Sequence, residues 1–135
     1  MKKYQFILAL ILALNISSCT SDPVTSYNVF IIDNQSSIDL FYKTGSGLDE
    51  RTVQIPRLNL TEIDDTEFDD DRAMLISAEE FFTRTEDDIY LLKEVNGNLI
   101  EALQLNTTGL LNWETEMVNA FTYNHILVVT NELLN

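Results

Sequence analysis

Few side chains in this sequence could carry out chemistry. Cys19 is the only cysteine and His125 the only histidine, so a zinc site built from several Cys and His ligands is excluded on ligand count. A Ser-His-acid triad would need His125, but the glycines of Gly45-Ser46-Gly47 stand one residue too close for a G-x-S-x-G elbow. No Walker-type or dinucleotide-binding glycine loop is present. We therefore expect no enzymatic activity and no catalytic residue.

His125 itself lies in an apolar run, Phe121 to Thr130. An imidazole in such a segment is either a general base or a packed, hydrogen-bonded residue of the core. A base also needs a partner that orients it, and the sequence shows none. The sequence therefore favours the packed histidine.

An acidic run, Glu62 to Asp71, is the best candidate for a metal site. Calcium takes six to eight oxygen ligands, which alternating carboxylates can supply. Positions 1, 3, 5 and 7 of an EF-hand loop would be Asp65, Glu67, Asp69 and Asp71. The rest of that pattern fails, because Asp70 replaces the glycine and Ile76 replaces the final glutamate. We predict a solvated acidic loop and no cofactor, with calcium as the alternative.

The aromatic residues could line a protein- or glycan-binding face, because Tyr and Trp often anchor interfaces. Most are expected to be core residues or cross-strand pairs instead. Trp113 is the exception that we single out as a candidate binding residue, since it lies between Asn112 and Glu114, outside any clear strand. The aromatic residues considered for such a face are Tyr27, Phe30, Phe41, Tyr42, Tyr90, Trp113 and Tyr123.

Residues 1–18 have the order of a secretion signal. Lys2 and Lys3 supply the positive start, and the apolar run from Phe6 to Leu14 supplies the hydrophobic middle. A transmembrane helix needs about 20 apolar residues, and this run is too short. A core helix of the mature domain would show a polar face, which this run lacks.

The segment Ile16-Ser17-Ser18-Cys19 resembles the lipobox of bacterial lipoproteins. The resemblance covers residues 1–19 and implies cleavage before Cys19 and attachment of diacylglycerol and a further acyl chain, such as palmitate, at that cysteine. It also implies the outer membrane of a Gram-negative cell, because Thr20, rather than aspartate, follows the cysteine. An ordinary secretory signal is the alternative, although its usual A-x-A-like cleavage site is not evident.

Residues 19–26 are predicted to be a flexible tether. They are short and polar and contain Pro23. One acyl chain binds membranes only marginally, whereas two or three make release negligible. The mature domain is therefore expected to stay on a membrane surface.

The composition is strongly acidic, with 22 Asp and Glu against 8 Lys and Arg and a net charge of −14. Nucleic acids and anionic lipids require clustered cations, so we exclude both as partners. Cationic partners, whether divalent metals or basic proteins, fit this charge, although it could serve solubility alone. The cations beyond the signal are scattered singly: Lys43, Arg51, Arg57, Arg72, Arg84 and Lys93.

Strand-type patterns dominate residues 27–135. Tyr27–Asp33 and Ile38–Tyr42 are separated by a turn-type cluster and are predicted to be consecutive antiparallel strands. Arg51–Ile55 alternates and ends at Pro56, which indicates an edge strand. Asn96-Gly97 predicts a type I′ hairpin. Phe121–Thr130 forms the last strand, with His125 on its apolar face.

Ser77-Ala-Glu-Glu80 has the form of a capping box and would start a short helix, although a strand and its turn fit equally. With about seven strands and at most one short helix, the sequence predicts an all-β domain over residues 27–135. An antiparallel β-sandwich, immunoglobulin-like or related, is the expected architecture.

These observations predict a membrane-anchored cell-envelope lipoprotein that acts as a non-enzymatic binding or structural module. The alternative is an acidic lipoprotein that captures a basic protein such as a lysozyme, as some small acidic envelope lipoproteins do. The usual motif of that group is absent here. Salt-sensitive binding would favour capture of a basic protein.

Overall fold

A computed structural model describes residues 24–44, 50–70, 75–84, 89–107 and 109–134, which fold as the predicted all-β domain. Their elements are, in chain order, β1 (Val24–Asn34), β2 (Leu40–Thr44), β3 (Arg51–Ile55), β4 (Asn59–Asp70), α1 (Ala78–Thr83), β5 (Tyr90–Val95), β6 (Asn98–Gln104), β7 (Trp113–Asn119) and β8 (Thr122–Val129). Among these residues, no helix is long and apolar enough to cross a membrane.

The strands form two four-stranded sheets. The first sheet has the order β4-β1-β8-β7, and the second has the order β3-β2-β5-β6. Neighbouring strands are antiparallel except for β1 and β8, which run parallel. The prediction of an antiparallel sandwich is therefore confirmed, with one parallel pair between the first and last strands.

The predicted pairing of the first two strands is wrong, because β1 and β2 belong to different sheets. The buried Asn34 side chain fixes the crossing between them. Its Nδ2 donates to the carbonyl oxygens of Ile38 at 2.9 Å and Ile55 at 3.0 Å. Its Oδ1 accepts from the Ser36 hydroxyl at 2.6 Å. These bonds satisfy the buried polar groups of the corner and direct the chain into the second sheet.

Other local predictions are confirmed. The strand that ends just before Pro56, β3, lies at the edge of the second sheet. Asn96 and Gly97, with φ of 54° and 81°, connect β5 to β6, as a type I′ turn requires. The helix begins as the capping signal predicts, because the Ser77 hydroxyl accepts a hydrogen bond from Glu80 N at 3.1 Å.

The core lies between the two sheets. Alternate residues of β1 and β8 point inward, and α1 adds Phe82, which is fully buried, and Phe81, whose ring stacks on Phe30 with centroids 4.1 Å apart. The largest fully buried side chains are Phe30, Phe82, Ile32, Leu40, Ile55, Ile63, Ile76, Leu91, Leu105, Leu127, His125 and Val129.

Three boundaries differ from the sequence prediction. β1 starts at Val24 instead of Tyr27, because residues assigned to the tether pair with the end of β4. Residues 62–70 belong to β4, so the predicted acidic loop is wrong up to Asp70. Trp113 opens β7, so its expected position outside any strand is also wrong.

Candidate functional site

The outer face of the first sheet carries aliphatic side chains at its centre. Burial alternates along β1 and β8, which places every second residue of these two central strands on the outside. Ile31 and Ile126 are partners in the parallel pair. We call the following residues the apolar stripe: Val29, Ile31, Ile126 and Val128. Val128 is exposed and the others are half-buried.

Carboxylates flank this stripe on the side of β4. Glu62 pairs with Ile31 and Asp65 with Val29 in the antiparallel register. Residues directly opposite each other in a sheet project from the same face. The exposed side chains Glu62, Asp65, Glu67 and Asp69 therefore form one acidic flank, the β4 flank.

β7 supplies a second acidic flank on the other side of the stripe. Glu114 pairs with Ile126, and Glu116 pairs with Asn124. Both glutamates are exposed. The apolar stripe is thus bordered by carboxylates on both edge strands of the sheet.

No cation balances these charges on the first sheet, because its four strands contain neither Lys nor Arg. Among the described residues, Lys43, Arg51 and Lys93 lie on strands of the second sheet. Arg57 lies between β3 and β4, and Arg84 follows α1, where it pairs with Glu80 at 2.9 Å and lies over the ring of Phe68 on β4, 5.8 Å from its centroid. The strand cations therefore lie on the second sheet alone, and the carboxylates of the outer face of the first sheet favour the approach of cations.

His125 lies on the inner side of the same sheet and is fully buried. The backbone N–H of Ile76 donates to Asn28 Oδ1 at 3.2 Å, which fixes the oxygen end of that amide. His125 Nε2 lies 3.1 Å from the same oxygen and must donate to it. The Thr115 hydroxyl lies 2.9 Å from Nδ1 and donates to that nitrogen.

This network confirms the prediction of a packed, hydrogen-bonded histidine. The ring also stacks on Phe30, with centroids 5.0 Å apart. Burial lowers the pKa of His125 below its ordinary value, so the neutral form is favoured. The sequence could not show Asn28 as a partner, because it lies 97 positions away.

The structure places the predicted calcium ligands on a strand. Asp65, Glu67 and Asp69 project from one face of β4, at intervals of about 6 to 7 Å along the strand. Calcium oxygens lie about 2.3 to 2.6 Å from the ion, which a row of this spacing does not provide. Asp71 lies outside the described residues. In the part of the chain that the structure describes, no group of three or more His, Cys, Asp or Glu side chains could hold a metal.

Trp113 packs against the core. Its ring stacks on Phe82 with centroids 5.4 Å apart and meets Phe30 edge-on at 6.3 Å. Its Nε1 is buried and has no hydrogen-bond partner among the described residues. A binding role for Trp113 stays a prediction, whereas Tyr27 is the aromatic of the predicted set that is exposed, on the outer face of β1.

The two acidic flanks are the feature that sequence reasoning missed. A usable signal is present, because Asp65, Glu67 and Asp69 repeat at every second position, as do Glu114 and Glu116. That is the period of a strand with one solvated face.

Cys19 lies outside the described residues, so its lipidation stays a prediction. In comparisons with known proteins, no family model, no curated protein and no solved structure matches this chain.

Proposed function

We propose that this chain is a membrane-anchored lipoprotein of the cell envelope, on the outer membrane of a Gram-negative cell, and that its β-sandwich is a non-enzymatic binding module. The anchor is the lipid on Cys19, supported by the signal-like residues 1–18 and the lipobox-like segment. The binding surface is the outer face of the first sheet. The single observation that carries the binding role is the apolar stripe between two acidic flanks.

An apolar centre with a polar border is the common anatomy of a protein interface. The stripe offers aliphatic area from neighbouring strands, such as Ile31 beside Ile126. The flanks lie on edge strands, where charge discourages strand-to-strand aggregation. The face is therefore suited to a side-chain contact with a partner.

A second candidate function, the capture of a basic protein such as a lysozyme, is favoured by the carboxylates of this outer face. A face with carboxylates on both borders and no cation steers a basic surface toward it. Such complementarity mainly accelerates association and selects partners. Sequestration of a basic protein is thus the more specific form of the binding function.

Affinity capture from envelope extract with the purified full-length protein tests the binding role. Ile31→Thr and Glu67→Gln change the outer face, whereas Leu99→Thr and Glu101→Gln are matched controls at exposed positions of β6. We expect the first pair to lose the captured partner and the second pair to retain it. Identical captured proteins for all four variants would contradict the proposed surface.

The dependence on salt separates the two candidates. Capture of a basic protein should fall steeply between about 50 mM and about 500 mM NaCl, because exposed charges are screened over a Debye length. Binding through the stripe alone should persist. Capture that is unchanged by salt would therefore remove the basic-protein candidate.

Metabolic labelling with palmitate tests the anchor. Wild type and Ser21→Ala should incorporate the label, whereas Cys19→Ala should remain an unlabelled precursor that still carries residues 1–18. Equal labelling of Cys19→Ala would contradict lipidation at this cysteine.

A further inference from the structure

Exposed apolar side chains lie at both ends of the first sheet, with Leu58 and Leu60 beside the end of β1 at Asn34 and a second group beside its start. Four of them belong to the β7–β8 hairpin and the neighbouring part of β1, and we call this group the apolar tip. Its members and their exposed fractions are Tyr27, 41%; Met117, 66%; Val118, 54%; and Phe121, 44%. Single exposed apolar residues are ordinary, but several at one end of a sheet suit a contact surface.

Hydrogen bonds donated by backbone N–H groups connect the segments of the tip. Tyr27 N donates to the Phe121 carbonyl at 2.7 Å, which ties β1 to the hairpin turn. Phe121 N donates to Asn119 Oδ1 at 2.8 Å within the turn. The register between β7 and β8 shifts between Met117 and Asn119, which leaves Val118 without a strand partner. The tip is therefore a defined surface of the fold.

The chain enters the domain at the same end. β1 begins at Val24, and the segment from Cys19 to Val24 can span at most about 18 Å. The opposite end of β1 lies about 33 Å further along the strand, where Asn34 accepts a hydrogen bond from Leu58 N at 2.6 Å. A lipid on Cys19 would thus hold the apolar tip close to the bilayer, whereas the tether does not itself hold the Leu58 end there.

We propose that the apolar tip contacts the bilayer that holds the lipid of Cys19 and so gives the domain a second, noncovalent membrane contact. This inference rests on the proposed anchor. Tethering raises the effective concentration of the tip at the membrane, so weak insertion of a few side chains is enough to orient the domain. The strands then lead away from the membrane, and the outer face stays accessible to a partner.

The charges around the tip select the lipid. Glu67 pairs with Tyr27 in the sheet register, Glu116 precedes Met117 in β7, and Asp69 bonds to Thr25 beside the tip at 2.6 Å. Carboxylates at this end are repelled by anionic headgroups. The tip therefore fits a zwitterionic bilayer surface.

Tryptophan quenching in vesicles tests the contact. Full-length Phe121→Trp is expressed so that the cell processes it, and is reconstituted into zwitterionic vesicles containing brominated acyl chains. Leu58→Trp is the matched control, because Leu58 is 78% exposed at the opposite end of β1. Both variants keep Trp113 as a common background. We expect bromine to quench Phe121→Trp at least about threefold more than Leu58→Trp, since only bilayer-inserted side chains approach the acyl chains.

Equal quenching of the two variants in vesicles that retain the protein would overturn the inference and leave the anchor intact. Quenching of Phe121→Trp that is as strong with anionic vesicles would overturn the proposed lipid preference. If the tip instead binds a second copy of the chain, the wild type would form dimers, Phe121→Ser would not, and bromine would not quench Phe121→Trp. That result would also overturn the inference. Failure of the wild type to float with vesicles would instead contradict the anchor and the inference together.

Discussion

The Tyr42 hydroxyl on β2 donates a 2.9 Å hydrogen bond to Asp64 Oδ2 on β4, and this contact joins the two sheets. A β-bulge makes this contact possible. Phe30 pairs with Asp64 and Ile31 pairs with Glu62, so Ile63 is an extra residue of β4 that is buried in the core, and the next residue, Asp64, reaches Tyr42. Burial raises the pKa of Tyr42 well above its ordinary value, and the charge of Asp64 adds to the effect. The hydroxyl therefore remains a donor at neutral pH.

Removal of this hydroxyl should destabilise the fold. We expect Tyr42→Phe to lower the free energy of unfolding by about 1 to 3 kcal/mol, because the Asp64 carboxylate loses a partially buried hydrogen bond. Urea denaturation of the two proteins measures the difference. Tyr27→Phe is the control, since Tyr27 is exposed, and it should leave the urea midpoint unchanged. Equal midpoints for Tyr42→Phe and wild type would show that the contact contributes nothing.

Acid should weaken the fold through His125. Burial lowers the pKa of His125 in the folded state, whereas the unfolded chain titrates near about 6.5. Between these two pKa values the unfolded state binds a proton that the folded state does not bind. The contribution of neutral His125 to the free energy of unfolding is therefore complete above about pH 6.5 and is lost as the pH falls below that value. Urea midpoints at about pH 7.5 and about pH 5.5 should differ more for wild type than for His125→Gln. The same difference in both proteins would contradict this assignment.

Asn28 should set the protonation of that histidine. Asn28→Asp keeps an acceptor for Ile76 N and His125 Nε2, but adds a negative charge at 3.1 Å from the ring nitrogen. An adjacent opposite charge stabilises the imidazolium, so we expect the pKa of His125 to rise by about 1 to 3 pH units. The single histidine makes its ring resonances easy to follow by NMR titration. An unchanged or lower pKa would show that this contact does not control the ring.

The short-range patterns of the sequence predicted most of the strands, and the reasons are local. Asn96-Gly97 requires positive φ values that few residue pairs accept, and Ser77 offers a hydroxyl to the first turn of a helix. Such signals depend only on neighbouring residues. They identify elements without fixing which strands pair.

The partners of β1 could not be predicted from such signals. β1 joins β4 and β8 across long stretches of chain, and the corner at Asn34 redirects the chain by contacts with Ser36, Ile38 and Ile55. The like charges of the acidic run predict a loop, because they favour hydrated segments. Pairing with β1 overrides that preference, because the inward residues Ile63 and Phe68 of the same strand pack against the core.

The β4 flank should make the stability of the domain depend on salt. Glu62, Asp65, Glu67 and Asp69 stand on one exposed side of an edge strand, at spacings of about 7 Å, which are shorter than the Debye length of about 10 Å at 0.1 M salt. Their mutual repulsion should fall as salt rises, so we expect the Tm to increase between about 20 mM and about 500 mM NaCl. Glu67→Gln should have a higher Tm than wild type at low salt, by an amount that corresponds to about 0.2 to 0.5 kcal/mol, and this advantage should vanish at high salt. Glu101→Gln on β6 is the control, because the second sheet carries its own cations.

Calcium chloride and sodium chloride should act alike at matched ionic strength if screening is the cause. A calcium-specific rise in Tm that Glu67→Gln abolishes would show instead that the flank binds the ion.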